Sequence, residues 1–297
     1  MQHTKGLVLT TIELNTTKLQ PGLYLIAMPI GNPKDIGLRS IEILLSADII
    51  ACEDTRTFQN TMNQVLRHKW NLIAHHKNNE SQSADGILGL IKNGKSVCLV
   101  SDAGTLNISD PGAKALKKML ENNIYVTSIP GPSALATALS MYPLTSNIQF
   151  FGFLPNKANE KKSLFTKIQN SEDSLVFYES PHRLLETLTV AKDNLPGRKV
   201  FIGREISKKY EEYIYSTFED AIEKFTKTSP KGEFVLIFTP SETKADHQQA
   251  IHEEITAMLN QGLSNKEILE KIKTKYDVKR NEVYTWIEQL KEDTDIE

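Results

Sequence analysis

Long apolar runs are missing from this 297-residue chain: none approaches the roughly 18 consecutive residues that a membrane helix needs. The first twenty residues, MQHTKGLVLTTIELNTTKLQ, alternate apolar with polar side chains and lack the unbroken core of a secretory signal. A cytoplasmic location without membrane contact is therefore expected. Cysteine is scarce: Cys52 and Cys98 are the only two, each inside a short apolar run (DIIACE, SVCLVSD), so reduced, buried thiols are expected and no disulfide. His75 and His76 are adjacent and so not at metal-ligand spacing, and no cluster of Cys or carboxylates completes a site, so no metal is expected. An excess of charge is missing too, and a formal net charge of −2 excludes a protein that coats nucleic acid by bulk attraction. Any nucleic-acid contact must come from local basic patches. The dinucleotide fingerprint G-x-G-x-x-G is absent, which weakens a nicotinamide or flavin reading. Gly89, Gly94, Lys95 and Ser96 do match the phosphate-loop expression, but they end a helix-like stretch and lead into a strand. A phosphate loop needs the reverse order, because its backbone amides and helix dipole must face the anion.

What is present is an alternation of short apolar runs with amphipathic stretches, the signature of an α/β fold. LYLIAMPI (from Leu23), DIIACE (from Asp48), SVCLVSD (from Ser96) and YVTSIP (from Tyr125) are separated by helix-like segments at 39–47, 55–67, 81–93 and 111–122. This spacing predicts a mainly parallel sheet with helical crossovers. After Pro130, Gly131 and Pro132 the pattern restarts, with runs at 148–154, 174–179, 199–204, 210–216 and 233–238. Few residues separate the third of these from the fourth, which predicts a hairpin and hence a mixed sheet. Beyond Pro240 the polar stretch SETKADHQQ reads as a linker, and everything after it reads as helix. Ile251, Ile255, Met258 and Leu259 share one helical face, Ser264 and Glu267 form a capping box, and a third helix after Asp277 carries Val283, Trp286, Ile287 and Leu290. The expected organisation is an extension over 1–20, α/β lobes over 21–130 and 131–240, and a helix-turn-helix-like tail over 245–297.

The strongest local motif is SDAGTLNISDPG, Ser101 to Gly112, directly after a predicted strand. In open α/β sheets ligands bind beyond the carboxyl ends of the strands. There Asp102 offers acceptors, Gly104 lets backbone approach closely, and Thr105 and Ser109 add donors. Asp110, followed by Pro111, reads as a helix N-cap. MPIGN, Met28 to Asn32, breaks the chain on the same sheet edge. ACEDTR places Glu53, Asp54 and Arg56 at the end of the second strand, where they could orient a polar substrate. FYESPHR repeats the arrangement in the second lobe: Tyr178 and Glu179 end a strand, and His182 and Arg183 could meet phosphate.

MPIGN, ACEDTR, SDAGTLNISDPG, IPGPSALATAL, FYESPHRLLETL and PKGE occur in an order that resembles the ribosomal RNA small subunit methyltransferase I family, of the tetrapyrrole methylase superfamily. The resemblance spans roughly residues 21 to 240. It implies a two-lobed, class III methyltransferase fold that binds S-adenosylmethionine between its lobes, works as a homodimer, and methylates a cytidine ribose 2′-hydroxyl in small-subunit ribosomal RNA, free or in the assembled subunit. Carried onto this chain, it implies cofactor contacts from Pro29, Asp102, Gly104 and Ile108 in the first lobe, and from Ser133, Ala134, Tyr178 and Gly232 in the second. The chain departs from the family at Met28, where Thr is usual, and at Leu106, where Pro is usual. Losing that proline enlarges the freedom of the unfolded loop, a cost under about 1 kcal/mol.

A ribose hydroxyl is a poor nucleophile, so a carboxylate should draw off its proton during in-line transfer. Glu53, Asp54 and Glu179 compete for that role, and Lys231 could stabilise the developing oxyanion. Arg56, His182 and Arg183, together with lysines at 157, 161, 162, 167, 208 and 209 and the tail cations Lys266, Lys271, Lys273, Lys275, Lys279 and Arg280, are the expected RNA contacts. Two other readings compete. A tetrapyrrole C-methylase on the same scaffold would have no need of a basic tail, and a DNA-binding regulator would leave ACEDTR and FYESPHR without a purpose.

Overall fold

Strict alternation of apolar side chains around a stack of parallel strands builds the first half of the protein. The computed structural model describes residues 13–241, 244–276 and 278–294, so most of the expected N-terminal extension, and Asp277, lie outside the described residues. Strands β1 (Gly22–Ile26), β2 (Ile49–Cys52), β3 (Leu72–Ala74), β4 (Ser96–Val100) and β5 (Val126–Ile129) form one sheet in the order β3-β2-β4-β1-β5, every pair parallel. Helices α1 (Leu38–Ser46) and α2 (Thr55–Asn63) cover one face, and α3 (Glu80–Lys92) and α4 (Ala113–Glu121) cover the other. Tyr24, Ile26, Ile50, Cys52, Cys98 and Val100 point to the α1/α2 side, and Leu23, Leu25, Ile49, Ala51, Val97 and Leu99 to the α3/α4 side. Burial on both faces explains why these strands read as unbroken apolar runs. Burial also pushes the Cys52 thiol up to about 12, and both cysteines are free. β3 is not among the expected strands: it has three residues at the sheet edge, too few to show a period.

The second half is a mixed sheet, β6 (Ile148–Phe153), β7 (Ser174–Glu179), β8 (Val200–Arg204), β9 (Glu212–Ser216) and β10 (Phe234–Phe238), in the order β6-β7-β10-β8-β9. Only β6 and β7 pair in parallel, and β8 with β9 is the expected hairpin. Helices α6 (Ala158–Ile168), α7 (Leu184–Asn194) and α8 (Phe218–Lys227) pack Phe165, Leu188 and Phe225 onto one face. The opposite face, with Val176, Phe201 and Val235, is covered by α5 (Ala134–Ser140) and receives Ile30 from the first lobe.

The tail has three helices, α9 (Lys244–Asn260), α10 (Asn265–Lys275) and α11 (Arg280–Thr294), around Ile251, Ile255, Ile268, Ile272, Val283 and Ile287. Ser264 and Glu267 close the expected capping box. The linker reading of SETKADHQQ is corrected, because α9 already begins at Lys244. A polar stretch without an apolar stripe hides a helix from a reading based on periodicity.

Candidate functional site

Parallel strands send all their exit loops to one edge, and the first-lobe motifs meet there. The loop after β1 is zipped to the loop after β4 by a two-way backbone pair: the Met28 amide donates to the Gly104 carbonyl at 2.9 Å, and the Gly104 amide to the Met28 carbonyl at 2.9 Å. Gly104 adopts φ +74°, a region that costs a side-chain-bearing residue about 1–2 kcal/mol. The loop after β2 is held to the same place: Asp102 Oδ1 accepts the Asp54 amide at 3.0 Å, while the Glu53 carboxylate accepts the Asp102 amide. The first-lobe loops are thus laced together before any ligand arrives. Thr105 Oγ1 then donates to the Pro132 carbonyl at 3.1 Å, tying the strand-end loop to the turn that enters the second lobe.

Between the lobes lies a cavity of about 420 Å³. Gly104, Thr105, Ile108 and Ser109 line it from the first lobe, and Ser133, Ala134, Tyr178 and Glu179 from the second, so the structure brings these expected residues together. Pro29, Asp102 and Gly232 do not line it; their chain neighbours Ile30, Ala103 and Glu233 do. Ile30, Ile206, Phe153 and Val235 add apolar wall. Tyr178 is anchored by the Leu135 amide, which its phenol oxygen accepts, and burial pushes its phenol above the ordinary tyrosine range.

Asp110 is the residue that sequence reasoning misplaced. Its N-cap role is corrected: α4 starts at Ala113 with Gly112 as N-cap, and no side chain of its own caps it. A carboxylate from another helix does that work, for Glu80 Oε1 accepts the amides of Gly112 at 3.1 Å and Lys114 at 3.2 Å, and Lys114 Nζ lies 3.5 Å from Glu80 Oε2. Relieved of capping, Asp110 lines the cavity, and among the described residues no side chain pairs with its carboxylate. Burial first, and then the charges of Glu53, Asp102 and Glu233, push its carboxyl up to about 6. The Glu53 and Asp102 carboxyls are raised as well, chiefly by burial and then by neighbouring carboxylates. Such a cluster is repulsive in itself and is relieved by a positively charged ligand. The signal was in the sequence, since the three aspartates and glutamates end or follow strands β2 and β4, but only folding brings them within reach of one another.

The remaining expected site residues are occupied elsewhere. Asp54 caps α2, accepting the Arg56 amide at 2.8 Å, and pairs with the exposed Arg56 guanidinium at 3.2 Å. Glu179 is committed to structural contacts: its carboxylate takes the Ser180 amide at 2.7 Å, Thr187 Oγ1 at 2.6 Å and Arg183 at 2.7 Å. Arg183, read as a phosphate contact, also holds the Leu154 carbonyl at 3.1 Å, with Asn156 beside it, and so braces the β6–α6 connection. Lys161, read as a surface cation, is fully buried and donates to Thr187 Oγ1 at 2.9 Å and Glu186 at 3.1 Å. Lys208 is engaged by Glu205 and Glu233, and Lys275 by Glu254. His182, Lys231, Lys162, Lys167 and the tail cations Lys266, Lys271, Lys273, Lys279 and Arg280 are exposed. Leu106 is buried in the first-lobe core, and Asn107 after it takes φ +66°.

Comparison with known proteins agrees with this geometry. Residues 22–222 match the tetrapyrrole (corrin/porphyrin) methylases. The chain is 36% identical over 270 residues to the ribosomal RNA small subunit methyltransferase I of Bacillus subtilis, covering 88% of this chain and 92% of that one. It is 35% identical to the protein of the same name in Rickettsia prowazekii, with 92% and 98% covered. Among solved structures the methyltransferase CobJ superposes with a TM-score of 0.56 at 15% identity, over 75% of this chain and 95% of that one. A uroporphyrin-III C-methyltransferase of Thermus thermophilus, complexed with S-adenosylhomocysteine, gives 0.53 at 14% identity, over 73% and 97%. At those identities the structural likeness speaks for the fold alone. Among the described residues no helix is long and apolar enough to cross a membrane, and no cluster of His, Cys, Asp and Glu could hold a metal ion.

Proposed function

Because the chain belongs to the ribosomal RNA small subunit methyltransferase I family, within the tetrapyrrole methylases, we propose that it transfers a methyl group from S-adenosylmethionine to a cytidine ribose 2′-hydroxyl of small-subunit ribosomal RNA. The observation that carries the cofactor reading is the unpaired carboxylate of Asp110 in the interlobe cavity, beside Glu53 and Asp102. When bound, S-adenosylmethionine supplies an electrophilic methyl carbon on a sulfonium. With that charge and its amino-acid group it carries one net positive charge more than the thioether product. Asp110 and its neighbours therefore favour the methyl donor over the product, which helps turnover by loosening what must leave. Ile108, Tyr178 and Val235 supply apolar wall for the uncharged parts of the ligand, and the Thr105–Pro132 bond keeps the lobes in register.

Asp54 is spent on capping and Glu179 on the Thr187–Arg183 network, and Glu53, beside Asp110 just outside the cavity wall, is the carboxylate we assign as acceptor of the hydroxyl proton. Its raised carboxyl is better matched to proton transfer near neutral pH than an ordinary glutamate. Lys231 and His182, both exposed, meet phosphate or the developing oxyanion. The exposed tail cations add RNA affinity that weakens steeply with salt. The working form is a cytoplasmic homodimer. The test is transfer of labelled methyl from S-adenosylmethionine to small ribosomal subunits lacking the modification, followed by nucleoside analysis. The expected product is 2′-O-methylcytidine. Glu53→Gln should lower kcat by more than it weakens S-adenosylmethionine binding. No incorporation into competent subunits, with methylation of a porphyrinoid instead, would overturn the assignment.

A further inference from the structure

A strand that keeps its alternation sends residues 149, 151 and 153 of β6 to one face of the sheet. Phe151 obeys, stacking on Phe177 at 5.1 Å and 18° against the core under α6 and α7. Phe153 does not. Phe150 pairs with Val176, but Phe153 pairs with Tyr178, so β6 spends two residues where β7 spends one. This bulge moves Phe153 to the face that Phe150 and Tyr178 share. Its ring meets Tyr178 edge-on at 5.5 Å and 64°, next to the Phe150–Tyr178 contact at 5.1 Å. Gly152 makes the bulge possible: it takes φ +67°, and a side chain there would collide with Ser109 Oγ, 2.8 Å from where its Cβ would stand. Bulges beside functional sites commonly re-aim a side chain in this way.

The re-aimed ring lines the interlobe cavity and is 57% exposed. A lone exposed apolar residue on a protein surface needs no explanation. An aromatic ring turned away from the core face, where Leu154 packs in its place, and onto the rim of the interlobe cavity, does. We propose that Phe153 is the platform on which a nucleobase of the RNA substrate stacks as its ribose enters the cavity, an inference that rests on the RNA-methylation reading above. Every base has a π-face, and stacking on a protein aromatic is a sequence-tolerant way to hold a single-stranded nucleotide. The cofactor's adenine offers the same chemistry, but a ligand lodged inside the cavity leaves the outer part of Phe153 to solvent. The substrate has to arrive from that side.

The test compares wild type with Phe153→Leu and Phe153→Tyr in the full chain. Phe153→Leu should raise both the KM for small subunits and the Kd for a short single-stranded RNA, read by fluorescence anisotropy, by about tenfold. Its S-adenosylhomocysteine Kd, from titration calorimetry, should stay within about twofold. Phe153→Tyr keeps the ring and should restore RNA affinity, and the thermal unfolding midpoint should barely move because the side chain is exposed. A parallel loss of S-adenosylhomocysteine affinity would assign the ring to adenine and overturn the proposal, as would an unchanged RNA Kd in Phe153→Leu. An RNA Kd that depends on the ring, in a wild-type protein that transfers no methyl to subunits, would uphold the platform and fault the functional reading instead.

Discussion

The two lobes handle buried charge in opposite ways. In the second lobe it is given polar partners: Glu186, Lys161, Thr187, Glu179 and Arg183 form a continuous, charge-balanced chain, and Arg198, nearly buried and without a carboxylate partner among the described residues, spends its guanidinium on backbone carbonyls that include those of Asp173 and Ile168. In the first lobe Glu53 and Asp102 stand close enough to push the Asp110 carboxyl up, as Asp102 does that of Glu53, and among the described residues no lysine or arginine pairs with them. Paired charge in a low-dielectric place specifies geometry, whereas unpaired charge of one sign stores repulsion that a cationic ligand releases. The second lobe holds the shape of the cavity and the first supplies its preference for a cation.

This contrast predicts opposite outcomes for neutralising a charge in each lobe. The largest effect is expected for Arg183→Met, which strands the buried Glu179 carboxylate and should cost about 3 kcal/mol in denaturant unfolding. A wild-type midpoint would break the comparison. Next, Asp110→Asn should weaken S-adenosylmethionine binding about tenfold and S-adenosylhomocysteine binding much less, while raising the unfolding midpoint of the ligand-free protein at neutral pH, as calorimetry and thermal unfolding would read. The same residue sets a pH dependence. Its carboxyl, at about 6, is charged above that pH and neutral below, so donor affinity should rise with pH through about 6 and flatten beyond, and Asp110→Asn should abolish the rise. For the ligand-free protein the sign is reversed. A carboxyl raised by folding favours the folded state while protonated, so its contribution is lost as pH climbs from the ordinary carboxylate range to about 6. The smallest effect is expected for Glu80→Gln, which weakens the cap on α4 by about 1 kcal/mol and should loosen the loop carrying Asp110. Hydrogen exchange at Gly112 and Lys114 would show it.

Period and punctuation made most of the fold legible. Strands buried on both faces announce themselves as runs such as LYLI and SVCLV, the hairpin around Ser207 by its short spacing, and the second tail helix by its capping box. β3 and the start of α9 escaped because one is too short to show a period and the other has no apolar stripe. In the site, Gly104, Thr105, Ile108, Ser109, Ser133, Ala134 and Tyr178 were named from motifs and resemblance, and all line the cavity. Asp110, Glu179, Arg183 and Lys161 were misjudged because residue type and position do not say which partner a side chain will find.

The sequence alone therefore determined the number and kind of elements, the parallel first sheet, the sheet edge at which the motifs gather and the family. These follow from short-range periodicity and from motifs contiguous in the chain. Only the tertiary structure decided which carboxylates are consumed and which are free. Capping of α4 by Glu80 across 32 residues, and the lacing of Asp102 to Asp54 across 48, are contacts that no local pattern encodes. Ionisation is set by burial and by charges brought near in space, so the chemistry of Asp110 exists only once both lobes are folded around it.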